Sequence, residues 1–421
     1  MIAQTQTLTS SRPEPRLLPA AVVAIVLFAI AWSLLHVGFY THNQVIDTPI
    51  YQRYGNAMTH GKVPYRDFSV EYPPGALPMF ALPGFAEPGH DQDVSAGFRR
   101  AFETLMWLCG SGALLAMVAT LGSTAASRSH IWSALTLAAL APLALGSVIL
   151  SRFDLWPTAL VVASLAALVA GWMRVGSASL GAAIATKLFP AVLVPLALAY
   201  VWRREGRREA IVCAGILAAV IAVIFVPFVA IAPGGVWHSV SGQLSRPLQI
   251  ESLGSATLIA LHHIAGTHVH EYSSHGSQNL HATGASALAV VETVILACAL
   301  VALWVWFARS RRTASMLVQA YAAAIALFIA FGKVLSPQFM IWLIPLVPLV
   351  RGRRGLWAGA LFGLALVLTQ LFFPFRYWRL VHHFAAFPSW LLLARDLTLV
   401  ALAVLLALPL RERAQTETRT V

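Results

Sequence analysis

The chain has 421 residues, of which 58% are hydrophobic and only 11% charged, and it carries a formal net charge of +12. Repeated apolar runs of roughly 17 to 25 residues match a hydrocarbon core, so the composition excludes an ordinary soluble globule and predicts an all-α polytopic membrane protein with one integral domain, residues 18–410. The basic excess lies between apolar runs and not in an aromatic-interleaved soluble patch, which argues against a nucleic-acid partner.

In chain order, hydropathy predicts spans over residues 18–40, 99–121, 131–150, 155–173, 178–187, 188–202, 210–231, 287–307, 314–332, 339–350, 356–373 and 390–410. The first run has no small-residue cleavage pattern and reads as a retained helix. Segments 178–187 and 339–350 are too short to cross when straight, so each reads as a broken or re-entrant helix. The stretch 76–85, interrupted by Pro78 and Pro83, reads as a short dip into the membrane.

Arginine sets the expected orientation. Arg12, Arg16, Arg128, Arg174, Arg203, Arg204, Arg207, Arg208, Arg309, Arg311, Arg312, Arg351, Arg353, Arg354, Arg411, Arg413 and Arg419 fall in one set of connections. Only Glu14, Glu205, Glu209, Glu412 and Glu417 accompany them, so these segments hold the entire excess of positive charge. By the positive-inside rule they face the cytoplasm, with tails 1–17 and 411–421. The other connections then face outward across the plasma membrane, including long loops at 41–98 and 232–286.

The most informative loop runs from Asp47 to Gly75 and reads DTPIYQRYGNAMTHGKVPYRDFSVEYPPG. It gathers carboxylates, tyrosines, glycine and proline beside the first span, where ligand capture or water-dependent chemistry is most readily placed. Asp47 precedes Thr48 and Pro49, a favoured helix start, so one reading makes it a helix cap. Asp67 reads as the local partner of Arg66, and Glu71 as a partner of Arg66 or Lys62. Further along, SRFDLWP places Arg152 and Asp154 between two spans, and Lys187 and Lys333 interrupt or end apolar runs. Charges at such depth pair, snorkel or bind something. Arg152 with Asp154 is the obvious local pair, while three cations at one membrane face suggest an anion site.

Other features carry less. Cys109, Cys213 and Cys298 lie in apolar runs without CxxC spacing and read as small buried hydrophobes. Six histidines between His262 and His281 have irregular spacing and read as a solvated outer loop, with no metal expected. No P-loop or strand-associated GxGxxG appears.

The order DxxxYxxYGxxxxxGKVPYRDFxxEYPPG, then SRFDLWP, then ATKLFPAVLVPL, then GKVLSPQFMIWLIPL resembles the GT-C superfamily of membrane glycosyltransferases, and most of all glycosyltransferase family 87. That group includes polyprenol-phosphate-mannose-dependent mannosyltransferases. The resemblance runs from Leu18 to about Val350, and Phe339 stands where members commonly carry tyrosine. It implies a GT-C bundle of about 11 to 13 transmembrane helices with a long first extracytoplasmic loop. It further implies an inverting hexosyl transfer, mannosyl by preference, from a polyprenyl-phosphate sugar to a cell-envelope lipid or glycan acceptor, with no cofactor and with membrane lipids as surroundings. One carboxylate would take the acceptor proton, Asp47 first and Glu71 as the alternative. Arg152, Lys187 and Lys333 would hold the donor phosphate. Tyr51, Tyr54, Tyr65, Tyr72, Asp154 and Gln338 would line the substrate groove. A secondary transporter and a non-catalytic lipid-handling protein stand as alternatives, although no internal repeat of the transporter kind is visible.

Overall fold

The computed structural model describes residues 17–86 and 94–409. The expected tails, with Arg12, Arg16, Arg411, Arg413 and Arg419, lie outside the described residues. The helices are α1 (Leu17–Leu34), α2 (Thr48–Thr59), α3 (Pro78–Ala86), α4 (Ala96–Ser123), α5 (Arg128–Leu145), α6 (Leu155–Ala170), α7 (Met173–Thr186), α8 (Val194–Ile231), α9 (Pro233–Leu244) and α10 (Leu253–Ala265). A hairpin of β1 (Val269–Ser274) and β2 (Ser277–Ala282) follows. The chain then forms α11 (Ala285–Arg309), α12 (Ala314–Ala330), α13 (Met340–Leu343), α14 (Gly352–Phe372), α15 (Tyr377–His383) and α16 (Ala386–Ala407).

The fold is the expected all-α polytopic bundle. Among the described residues, six helical stretches are long and apolar enough to cross a membrane: α1, α4, α8 with the turn before it, α11, α14 and α16. Helix α12 is apolar all round because it is the centre: nearly every residue from Met316 to Ala330 is buried. Its one amide, Gln319, donates to the carbonyls of Leu406 and Leu408 at the end of α16 (2.7 and 3.2 Å). At the periphery the logic reverses. Val223, Val226 and Val229 of α8 and Val290, Val294 and Val301 of α11 are exposed, as lipid-facing positions should be in a membrane protein.

Some expectations hold and others change in detail. The spans expected at 188–202 and 210–231 stay separate: α8 is interrupted at Gly206, whose φ of +88° and ψ of 175° are non-helical, so its two arms are distinct helical segments. Segment 339–350 is broken, as its prolines demand, into a 3-10 turn, the single turn of α13 and another 3-10 turn, all buried. The 232–286 region is ordered secondary structure and not a loop, although His268, His270, His275 and His281 are exposed as expected. Its histidine-rich part folds as α10 and the hairpin, with His262 and His263 in the last turn of α10 and a two-residue His275–Gly276 turn between the strands.

Side-chain contacts sort the connections into two ends. Arg174 pairs with Glu209 (2.7 Å), Arg312 donates to the Ala199 carbonyl (3.0 Å), Arg351 to Thr124 Oγ1 (2.7 Å) and Arg354 to the Leu408 carbonyl (2.7 Å). These bonds knit the arginine-bearing turns together at one end of the bundle. The first loop, the 146–154 link, α9, the hairpin and segment 331–339 meet at the other.

Candidate active site

The site begins with how the first loop is anchored. The EYPPG turn is pressed onto the ends of α6 and α7: the Gly75 carbonyl accepts from Trp156 Nε1 (3.2 Å) and Thr186 Oγ1 (3.3 Å). A Cβ at Gly75 would sit 2.7 Å from the Ala185 carbonyl, so only glycine permits this approach. Tyr65 Oη donates to the Tyr72 carbonyl (2.7 Å), and the tyrosines close into an aromatic cluster. Tyr51 stacks on Phe80 (4.7 Å between centroids), and Tyr72 meets Phe153 edge-on (4.7 Å). Tyr51, Tyr54 and Tyr65 thus build the buried core that holds the loop, and of the four nominated tyrosines Tyr72 alone reaches the cavity beside it.

That cavity, about 200 Å³, is lined by Asp47, Glu71, Tyr72, Arg152, Lys187, Arg246, Glu251, Gln338 and Tyr377, among others. Seven of the nominated polar residues therefore converge here once Asp154, which holds Lys187 from behind, is counted. The exceptions are the core residues Tyr51, Tyr54 and Tyr65 and also Lys333, whose Nζ turns away to the Leu244 carbonyl (3.1 Å).

Arg152 and Lys187 are paired across the fold and not with their neighbours along the chain. Arg152 and Asp154 do not form the local pair their spacing suggests. Arg152 is ion-paired to Asp47, donates to the Val45 carbonyl (3.4 Å), and keeps Nε without a hydrogen-bond partner. Asp47 precedes α2 as its cap residue but makes no side-chain capping bond, because its carboxylate is turned to Arg152. Asp154 is fully buried and accepts from Lys187 Nζ and Trp342 Nε1, each at 2.6 Å. Lys187 also sits 4.9 Å from the Phe153 ring, 5.3 Å from Trp342 and 5.7 Å from Phe339. Aromatic faces favour a cation there. The SPQF and WL motifs are thereby explained: Phe339 and Phe189 stack on Trp342 (4.1 and 3.7 Å), and Trp342 fixes Asp154.

Glu71 does not pair with Arg66. That arginine is taken by Asp67 (2.9 Å), whose carboxyl falls to about 2 through this bond and one from the Val63 N–H (2.7 Å). Glu71 is held through its backbone carbonyl, which accepts from Gln243 Nε2 (2.9 Å), and its carboxylate lies against Gly276 of the hairpin turn.

Two lining residues escape sequence reasoning. Arg246 sits in the supposed solvated loop, in a run that offers no motif. Glu251 is 2% exposed, and burial pushes its carboxyl up to about 8 despite the opposing influence of Arg395. Its backbone carbonyl accepts from Arg395 Nη2 (2.8 Å), and Arg395 pairs with Asp396 (2.5 Å) in the middle of α16. The adjacent Arg-Asp inside an apolar run was the available signal.

The model of glycosyltransferase family 87 matches residues 70–337, nearly two thirds of the sequence, and covers the EYPPG turn, both lysine-bearing junctions and the proline of SPQF. The chain belongs to glycosyltransferase family 87. It is a membrane glycosyltransferase, as the motif resemblance led us to expect. No curated protein sequence matches it. Two solved structures are similar over 93% of this family 87 chain. One is ArnT from Cupriavidus metallidurans bound to undecaprenyl phosphate, at 14% identity, 76% coverage of that chain and a TM-score of 0.48. The other is the Archaeoglobus fulgidus oligosaccharyltransferase tethered with an acceptor peptide, at 15% identity, 55% coverage and a TM-score of 0.43.

Proposed function

We propose that this family 87 enzyme inverts the anomeric centre of a sugar, mannose in the first instance, as it moves it from a polyprenyl phosphate to a lipid or glycan hydroxyl on the outer face of the plasma membrane. The observation that carries the reading is the convergence of Asp47 and Glu71 with Arg152, Lys187 and Arg246 on one cavity, at the end of the bundle opposite the arginine-bearing turns. The positive-inside rule then puts the cavity outside and the arginine turns in the cytoplasm. Family membership favours transfer over the transporter alternative.

In the proposed reaction, the acceptor oxygen attacks the anomeric carbon, its proton passes to a carboxylate, and the carbon–oxygen bond to phosphate breaks with the electron pair leaving on the polyprenyl phosphate. The developing negative charge falls on the phosphate, so cations held in a low-dielectric wall are worth more here than in water. Arg152 links the two roles. Its free Nε and its fork suit a phosphate, and a donor phosphate competes with Asp47 for the guanidinium. Donor binding would therefore release Asp47 to act as base only when there is a sugar to transfer. Lys187 contributes positive potential from the cavity floor, already balanced in part by Asp154. Gln338 and Tyr72 supply neutral hydrogen-bonding groups for sugar hydroxyls.

The test is transfer by the purified full-length protein from radiolabelled polyprenyl-phosphate sugars, mannose first, to a lipid extract of the source membranes. Product formation with mannose supports the complete reading. Transfer with another sugar corrects the sugar and keeps the mechanism, while no turnover of any lipid-linked sugar overturns it.

A further inference from the structure

A second cavity, about 170 Å³, adjoins the first and is lined by Ser69, Val70, Glu71, His238, Ser239, Gly242, Gln243, Arg246 and His275. The two share Glu71, Gln243 and Arg246, so these residues form a common wall. We propose that the second cavity is the acceptor subsite, built for a neutral polyhydroxylated ring such as a glycan end, which enters past the hairpin turn and delivers its hydroxyl along Glu71. The inference rests on the glycosyl transfer proposed above.

Three observations support it. Ser239 is 4% exposed, lines this cavity, and its Oγ has no hydrogen-bond partner. A buried hydroxyl left unpaired is disfavoured unless a ligand or water completes it. Arg246 Nε is likewise buried without a partner, while Nη2 is engaged by the His275 carbonyl (3.0 Å). Finally, the hairpin turn is shaped to hold Glu71: Gly276 has φ +65°, and a Cβ there would lie 2.9 Å from Glu71 Oε1. A side chain at position 276 would both strain the turn and displace the carboxylate from the shared wall.

The chemistry of the wall selects the ligand class. One carboxylate faces one guanidinium, and the remaining polar groups are two hydroxyls, an amide and two imidazoles, a nearly neutral set rich in both donors and acceptors. Sugar hydroxyls, each donor and acceptor at once, match such a set, whereas an isolated phosphate would meet Glu71. The cationic side, with Arg152 and Lys187, belongs to the first cavity alone. The division places a charged leaving group and a neutral nucleophile on opposite sides of Glu71.

Hydrogen exchange on the full-length protein tests the assignment, with methyl α-D-mannopyranoside, inorganic phosphate and a sugar-free polyprenyl phosphate as separate probes. The glycoside should slow exchange in α9 and at the His275–Gly276 turn. Ser239→Leu and His238→Leu, which touch only the second cavity, should each weaken that protection at least tenfold while polyprenyl phosphate binding stays within about twofold of wild type. Either variant alone suffices if the other does not fold. Glycoside protection that is missing, or that survives both substitutions, overturns the subsite, as does protection of this region by phosphate in preference to glycoside. If polyprenyl phosphate fails to bind the wild type while glycoside protection persists, the donor reading falls and the glycan site stands.

Discussion

Lys187 is assigned two partners, Asp154 in the fold and phosphate in the reaction, and a double-mutant cycle separates them. Lys187→Met removes the cation and leaves the Asp154 carboxylate fully buried with the Trp342 N–H as its remaining bond. An uncompensated buried charge of this kind destabilises by about 3–5 kcal/mol, a large share of a typical stability. Asp154→Asn added to Lys187→Met removes the orphan charge, keeps an acceptor for Trp342, and should recover most of that loss. Donor use should not recover, because the phosphate still lacks its cation. A charge-assisted hydrogen bond is worth about 1.5–3 kcal/mol, which corresponds to roughly 10- to 150-fold in transfer efficiency. The assays are thermal unfolding in detergent and initial rates of transfer against donor concentration, on both single variants and the double. A double variant with wild-type stability and wild-type donor KM would show Lys187 to be only the counter-ion of Asp154. A Lys187→Met protein as stable as wild type would refute the buried-pair argument itself.

Other outcomes follow from the same geometry. Glu251, with its carboxyl raised to about 8, is neutral at pH 7 and becomes an anion as pH rises through that value. The folded state keeps a proton that the unfolded chain sheds near 4.5, so this contribution to stability is complete below about pH 4.5 and is lost as pH climbs to about 8. A new negative charge beside Arg152 should raise the donor KM about five- to tenfold above pH 8, and Glu251→Gln should flatten that alkaline limb in a pH–rate series. Arg395→Met should destabilise by about 3–5 kcal/mol in thermal unfolding by stranding Asp396, whereas the pair Arg395→Met with Asp396→Leu should be close to neutral. Gly75→Ala should lose about 1–3 kcal/mol and lower transfer, because its Cβ meets the Ala185 carbonyl at 2.7 Å and lifts the EYPPG turn from α7.

The membrane architecture was legible because hydropathy is a local signal: runs of apolar residues announce spans whatever they pack against. The break at Gly206 fell in the gap left between the spans 188–202 and 210–231, whereas the boundary near Met173 was less legible: α7 begins there and not at 178. The 232–286 region misled because its short helices and hairpin are half-polar. Even there His275–Gly276 between EYSS and SQNLHA was a readable two-residue turn. At the site, residue types were legible and partners were not. Asp47 and Arg152 lie more than a hundred positions apart, so their ion pair is a product of topology, and sequence proximity wrongly favoured Arg152 with Asp154. The tyrosines of the first loop are amphipathic, which suits a core, an interface or a sugar groove alike, and only packing decides that Tyr51 is core.

The central claim is that Asp47 is the base of a transfer whose phosphate is clamped by Arg152. It is tested most directly by single-turnover transfer with Asp47→Asn, with donor binding measured on the same preparation. Removing a general base reduces rate by about 10²- to 10⁴-fold. The account predicts a fall of that size in the chemical step, with donor affinity kept or improved because Arg152 is no longer shared. Single-turnover transfer by Asp47→Asn within a few-fold of wild type would contradict it and move the proton to Glu71.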